Sequence, residues 1–257
     1  MMDNFNNLPI LAGTEKQIRW AEDIRRKFIE NNSIDGIDAI ILNEQSSAFW
    51  IDNRRYLDEE FIKIYKNIIK PAEVLHNGVV EIIECSERSR YSSKEQKKIR
   101  VHYKFALGYP VELEKIMEKL GYIEDYDEWS KNINEMTGGF ADRAAEIGAL
   151  LLEKGFTISI SDKTAREKAI TKDYEEEYPR WVDANKSHFV VRWQEDDTKN
   201  DEFVDTLEKM GGEIRKSKTN RALVYINFEK NEELLAFVKA NGFKLTKKAK
   251  EGILCQE

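Results

Sequence analysis

The sequence predicts an α+β fold with a small N-terminal helical module, a middle segment of β-hairpin and helix, and a C-terminal β-α-β-β-α module. Three observations predict it. Apolar residues recur at helical spacing between Thr14 and Glu30, and they alternate strictly in "IRVHYKFAL", residues 99–107. After Trp181 the two periods follow one another as strand, helix, strand, strand and helix. The chain has 257 residues, 41% hydrophobic and 35% charged, which suits several small cores with much surface. It divides into stretches 8–70, 71–137, 138–180 and 181–257.

Thr14 is a helix N-cap, and Gln17 completes a capping box. Ile18, Trp20, Ala21, Ile24 and Phe28 then share a broad inward face, whereas Lys16, Arg19, Arg26 and Lys27 face out. Glu15–Arg19, Glu22–Arg26 and Asp23–Lys27 are acid-then-base pairs at i, i+4. A short helix near Ile37–Leu42 leads to "SSAFWIDNRR", residues 46–55. There Trp50 reads as core, as does Trp20, and Asp52, Asn53 and Arg54 read as a turn or cap. A helix over about Asp58–Ile69 ends before Pro71.

In the middle stretch Ile99, Val101, Tyr103, Phe105 and Leu107 face one way, and Arg100, His102 and Lys104 the other. "GVVEIIEC" is the partner strand, joined through a polar, basic loop "SERSRYSSKEQKK". A helix over Val111–Leu120 follows. Ala141–Lys154 is an amphipathic helix closed by Gly155, "FTISI" a strand, "DKTAREKAI" a capped helix and "DYEEEYPRWV" an acidic connector. The last module runs through strand Ser187–Trp193, helix Asp201–Met210, strands Glu213–Lys216 and Ala222–Phe228, and helix Glu232–Asn241, with a terminal helix in "LTKKAKEGIL". Gly211–Gly212 and "KSKTN" mark its turns.

No apolar run reaches membrane-spanning length, and the first residues lack a basic segment followed by an apolar one. Cys85 and Cys255 match no ligand spacing and read as reduced thiols, so a cytoplasmic protein is expected. Net charge is −7, most of it between residues 121 and 187, where 15 acidic side chains meet 9 basic ones. Overall charge therefore does not steer the chain towards nucleic acid; only local patches would.

The sequence holds no phosphate-binding loop and no dinucleotide fingerprint. His76, His102 and His188 are dispersed, with no metal-ligand spacing, and the latter two lie on strand patterns. "QEDDTKNDE" and "DYEEEYP" read as solvated loops rather than magnesium sites. The expectation is a non-enzymatic protein without cofactor or metal.

"LAGTEKQIRWAEDIRRKFI" followed by "AFWIDNR" resembles an N-terminal module recurrent in proteins of phages and integrative mobile elements. Gly13, Thr14, Glu15, Lys16, Gln17, Ile18, Trp20, Ala21, Ile24 and Arg25 carry the match, then Trp50, Ile51, Asp52, Asn53 and Arg54; Phe49 stands where that pattern often has Trp. The C-terminal module is similar to the HARP-type domain of annealing helicases, through the strand ending in Arg192–Trp193, the helix, the glycine turn, the next strand pair and the closing helix. Gly212-Glu213-Ile214-Arg215 departs from the Gly-x-Arg-Trp often found there, and these 257 residues contain no helicase motor.

The resemblance implies binding of single-stranded or forked DNA, or of a nucleic-acid-processing complex. Arg192, Trp193, Arg215, Lys216, Lys218 and Arg221 would form the C-terminal patch, and Lys16, Arg19 and Arg54 the N-terminal one. An anti-defence protein that blocks a host nuclease effector, in the manner of an anti-CRISPR, stays open beside it. There the carboxylates of "EDYDE", "DYEEE" and "EDDTKNDE" would imitate the charge of DNA.

Overall fold

Three apolar clusters organise the chain into an α+β fold. The structure, a computed structural model, describes residues 8–31, 41, 44–88, 95–106, 108–125, 128–216 and 221–254. Of the expected helix near Ile37–Leu42 only Ile41 is among these, and the expected inward Leu107 and the turn residue Lys218 lie outside them.

The N-terminal cluster forms between helices α1 (Glu15–Asn31), α2 (Ser47–Asn53) and α3 (Glu59–Tyr65). The capping box is present: Gln17 N–H donates to Thr14 Oγ1 at 3.4 Å, and Thr14 N–H donates to Gln17 Oε1 at 3.0 Å. Ser46 and Asp58 cap α2 and α3 through the N–H groups of Phe49 and Phe61. Of Asp52, Asn53 and Arg54, read as a turn or cap, the first two complete the last turn of α2 and Arg54 is its C-cap, and α3 is shorter than expected because the chain straightens into strand β1 (Ile68–Ile69).

A six-stranded sheet follows, in the order β1-β6-β2-β3-β5-β4. Its members are β2 (Val79–Arg88), β3 (Glu95–Lys104), β4 (Ile123–Asp125), β5 (Glu128–Asn132) and β6 (Ile158–Ile160). Helices α4 (Val111–Lys119), α5 (Phe140–Glu153) and α6 (Lys163–Thr171) supply the rest of its core. Stretches 71–137 and 138–180, separate by sequence, are joined here: β6 pairs in parallel with β2, and one core serves both. Much of the loop expected at 86–98 is strand, because β2 and β3 stay paired out to Arg88 and Glu95. Phe105 leaves the expected strand face: with φ at 60° the chain turns there, and its ring joins the N-terminal cluster. Gly155, just past α5, has φ at 78°, and a Cβ on it would meet Leu75 at 2.6 Å, so glycine is required for both backbone and space.

The second sheet has the order β11-β7-β8-β10-β9. It comprises β7 (Trp181–Ala184), β8 (His188–Gln194), β9 (Glu213–Lys216), β10 (Arg221–Asn227) and β11 (Lys244–Leu245), with α7 (Asn200–Lys209), α8 (Asn231–Asn241) and α9 (Lys247–Leu254). The expected β-α-β-β-α order lies within it, extended by β7 and β11. Val182, Phe189, Val191, Trp193, Val224 and Ile226 face the helices and form its core with Phe203, Phe237 and Phe243.

A buried ion cluster ties the two sheets together. Glu177, in the connector after α6, accepts from Lys131 of β5 through Oε2 and from Arg221 of β10 through Oε1. The side chains of Lys131 and Glu177 are each 6% exposed, and that of Arg221 is 14% exposed. On α5, Arg143 binds Glu146 and the Glu175 carbonyl, and Glu146 accepts from the Glu177 N–H. No described helix is long and apolar enough to cross a membrane.

Candidate nucleic-acid interface

The inward stripe of α1 is Ala21, Arg25, Phe28 and Ile29, with Ile18 and Ile24 half-buried at its margins. Trp20 is therefore not core: it sits about 100° round the helix from Ala21 and is 50% exposed. Arg25 takes a place inside. Its aliphatic stem packs while its guanidinium Nη1 donates to the Pro9 carbonyl at 2.9 Å, and burial pushes its pKa down despite Glu22.

Trp50 is fully buried, with its ring 5.7 Å from Phe28 and its indole N–H on the Glu44 carbonyl at 3.2 Å. That anchor fixes α2 against α1. Arg54 follows Trp50 by one turn, so its guanidinium comes to lie 5.3 Å from the centre of the Trp20 ring. Lys16 and Lys27 are exposed one turn before and two turns after Trp20, on the same side of the helix. Arg19 is also exposed, beside this stripe, and is paired with Glu15; Arg26 pairs with Asp23 at 3.7 Å rather than with Glu22. The result is a basic stripe about 16 Å long around a solvent-facing indole.

The C-terminal candidates divide between two faces of a sheet. Trp193 is on the helix side, fully buried, with its indole N–H on Asn200 Oδ1 at 2.9 Å and its ring 5.7 Å from Phe203. It is a core residue and no stacking platform, because alternation along β8 turns it away from Arg192. Lys216 stands opposite Ala222 in the register, next to Arg215 on the edge strand. Arg192, Leu223 and Arg215 form one row across β8, β10 and β9 on the other side. Arg215 is exposed; it lies 4.2 Å from the centre of the Tyr225 ring and makes a bidentate pair with Glu213 at 3.1 Å. Arg192 is half-buried, and its Nε has no hydrogen-bond partner among the described residues. Arg221 shares the face but is held by Glu177 and is not available to a phosphate.

The acidic runs are partly neutralised from within. Glu128 faces Arg100 at 3.2 Å, Glu177 belongs to the buried cluster, and Asp197 makes a bidentate pair with Arg180 at 2.7 and 3.0 Å. Among the described residues no group of His, Cys, Asp and Glu is arranged to hold a metal ion.

No protein-family model, curated protein or solved structure matches this chain.

Proposed function

We propose that this chain is a non-enzymatic phage or mobile-element protein that binds single-stranded nucleic acid. One observation carries this reading: Trp20 presents half its surface to solvent, under the Arg54 guanidinium and between Lys16 and Lys27. An exposed indole offers a base a stacking surface in any sequence, and neighbouring cations neutralise the phosphates on either side. The Arg192–Leu223–Arg215 row beside Tyr225 is a second, smaller surface of the same chemistry. Its Arg215–Glu213 pair is exposed, so a phosphate can take the place of Glu213 at little cost.

Fluorescence anisotropy with a labelled oligothymidine tests this. Three phosphate contacts predict a log–log salt slope of about −2. Trp20→Ala is expected to weaken binding by roughly five- to 150-fold, as loss of about 1–3 kcal/mol of stacking requires. Absence of binding at low salt would refute the reading.

A further inference from the structure

A cleft of about 320 Å³ opens between the end of α3 and the charged face of the first sheet. Lys63, Lys66 and Asn67 reach it from α3 and the turn after it, Glu81 and Ile83 from β2, and Ser159 and Ser161 from β6 and the residue beyond. Two of these polar groups are already taken. Ser159 Oγ donates to the Ile64 carbonyl at 2.8 Å, and Asn67 donates to the Lys63 carbonyl at 3.1 Å while accepting from Arg166. The ammonium groups of Lys63 and Lys66, the Ser161 hydroxyl and the Glu81 carboxyl make no hydrogen bond or ion pair among the described residues. Glu81 is half-buried, and burial pushes its pKa up. Lys104 opposes that push, but its ammonium is bound to Glu60 at 2.9 Å.

The four uncommitted groups set the chemistry of the occupant. A simple anion would meet Glu81, and a simple cation would meet two lysines. A ligand with a hydrogen-bond donor at one end and an anion at the other satisfies both. The volume is at the lower end for small-molecule sites. We propose that this cleft binds one nucleotide unit whose base carries an exocyclic amine. The amine donates to Glu81, the phosphate lies on Lys63 and Lys66, and Ile83 lines the apolar body between them. A carboxylate accepts well from the cytosine amine; uracil presents a carbonyl oxygen in that place and is repelled.

Titration of the full chain with CMP and UMP, followed by amide chemical shifts, tests the site. CMP is expected to move the amides of Glu81 and Ser161 and to bind about tenfold more tightly than UMP. Glu81→Gln is expected to abolish that preference, and Lys63→Ala with Lys66→Ala to weaken both ligands. The CMP-induced shifts of the Glu81 and Ser161 amides are expected to saturate at the same concentration in Trp20→Ala, which separates this site from the Trp20 surface. Displacement of CMP by oligodeoxycytidine would assign the unit to a strand, and its failure to displace would assign a free nucleotide; both support the cleft. Equal binding of UMP, no shift at Glu81 or Ser161, or a preference that survives Glu81→Gln would overturn it.

Discussion

Glu177→Ala is expected to loosen the junction between the two sheets. Glu177 is the shared anion of two buried cations, and the Lys131, Glu177 and Arg221 side chains are 6%, 6% and 14% exposed. Truncating it leaves both cations away from water. Among the described residues Lys131 then keeps the Leu120 carbonyl, the Tyr122 ring and the charge of Glu146, none of which replaces the ion pair, and burial already pushes its pKa down against the pull of Glu177. Breaking a buried pair in this way costs about 3–5 kcal/mol, a large part of the roughly 5–15 kcal/mol that holds a domain folded. The assay is urea unfolding followed by circular dichroism. Glu177→Gln keeps an acceptor oxygen and should lose less. Adding Lys131→Met to Glu177→Gln should restore part of the loss, because apolar replacement of a buried charge removes its desolvation cost. A Glu177→Ala protein within about 1 kcal/mol of the parent would refute the reasoning. Arg221 would then be hydrated and open to phosphate.

Other substitutions separate structure from binding. Trp193→Ala is expected to cost about 3–5 kcal/mol in stability, whereas Trp193→Phe should leave oligonucleotide affinity within about twofold, checked by unfolding and anisotropy together. Gly212→Ala should destabilise by about 1–3 kcal/mol, because its Cβ would lie 2.6 Å from the Leu207 carbonyl oxygen and from Val224 Cγ1; unchanged stability would mean that α7 shifts freely. Burial raises the Glu44 carboxyl, but the Tyr65 hydroxyl, the Ser46 N–H and Lys70 outweigh it and hold its pKa below the usual range. A depressed carboxylate stabilises above its unfolded pKa, and that contribution disappears as pH falls through the folded value. Glu44→Gln should therefore flatten the acid limb of the stability curve below about pH 5, measured by melting across pH.

Local patterns made part of the fold readable. The capping box at Thr14, the glycine after α5 and the alternation in β3 each report on neighbours within a few residues, and the structure contains them. What escaped depends on distant partners. Strands β1, β4, β7 and β11 have four residues or fewer, too short for a period to show. In β5, "EWSKN", an inward lysine hides the pattern, and Glu177, which makes Lys131 tolerable there, lies 46 residues away. Trp20 is expected inside because hydrophobicity favours it there, and the burial of Arg25, which the helical pattern assigns to neither face, depends on the Pro9 carbonyl as a partner in the core. Of the candidate site, Lys16 and Arg54 come together around an indole expected to be buried. Arg192 and Arg215 share a face, as alternation allows, but the same alternation sends Trp193 into the core.

Tryptophan emission tests binding through Trp20 most directly. The chain has five tryptophans, and Trp50, Trp129, Trp181 and Trp193 are all buried, so a soluble quencher reaches Trp20 first. Saturating single-stranded oligonucleotide should quench that accessible fraction and protect it from acrylamide, and Trp20→Phe should erase both effects. Oligonucleotide that binds while the Trp20 signal and its acrylamide sensitivity stay unchanged would contradict the claim.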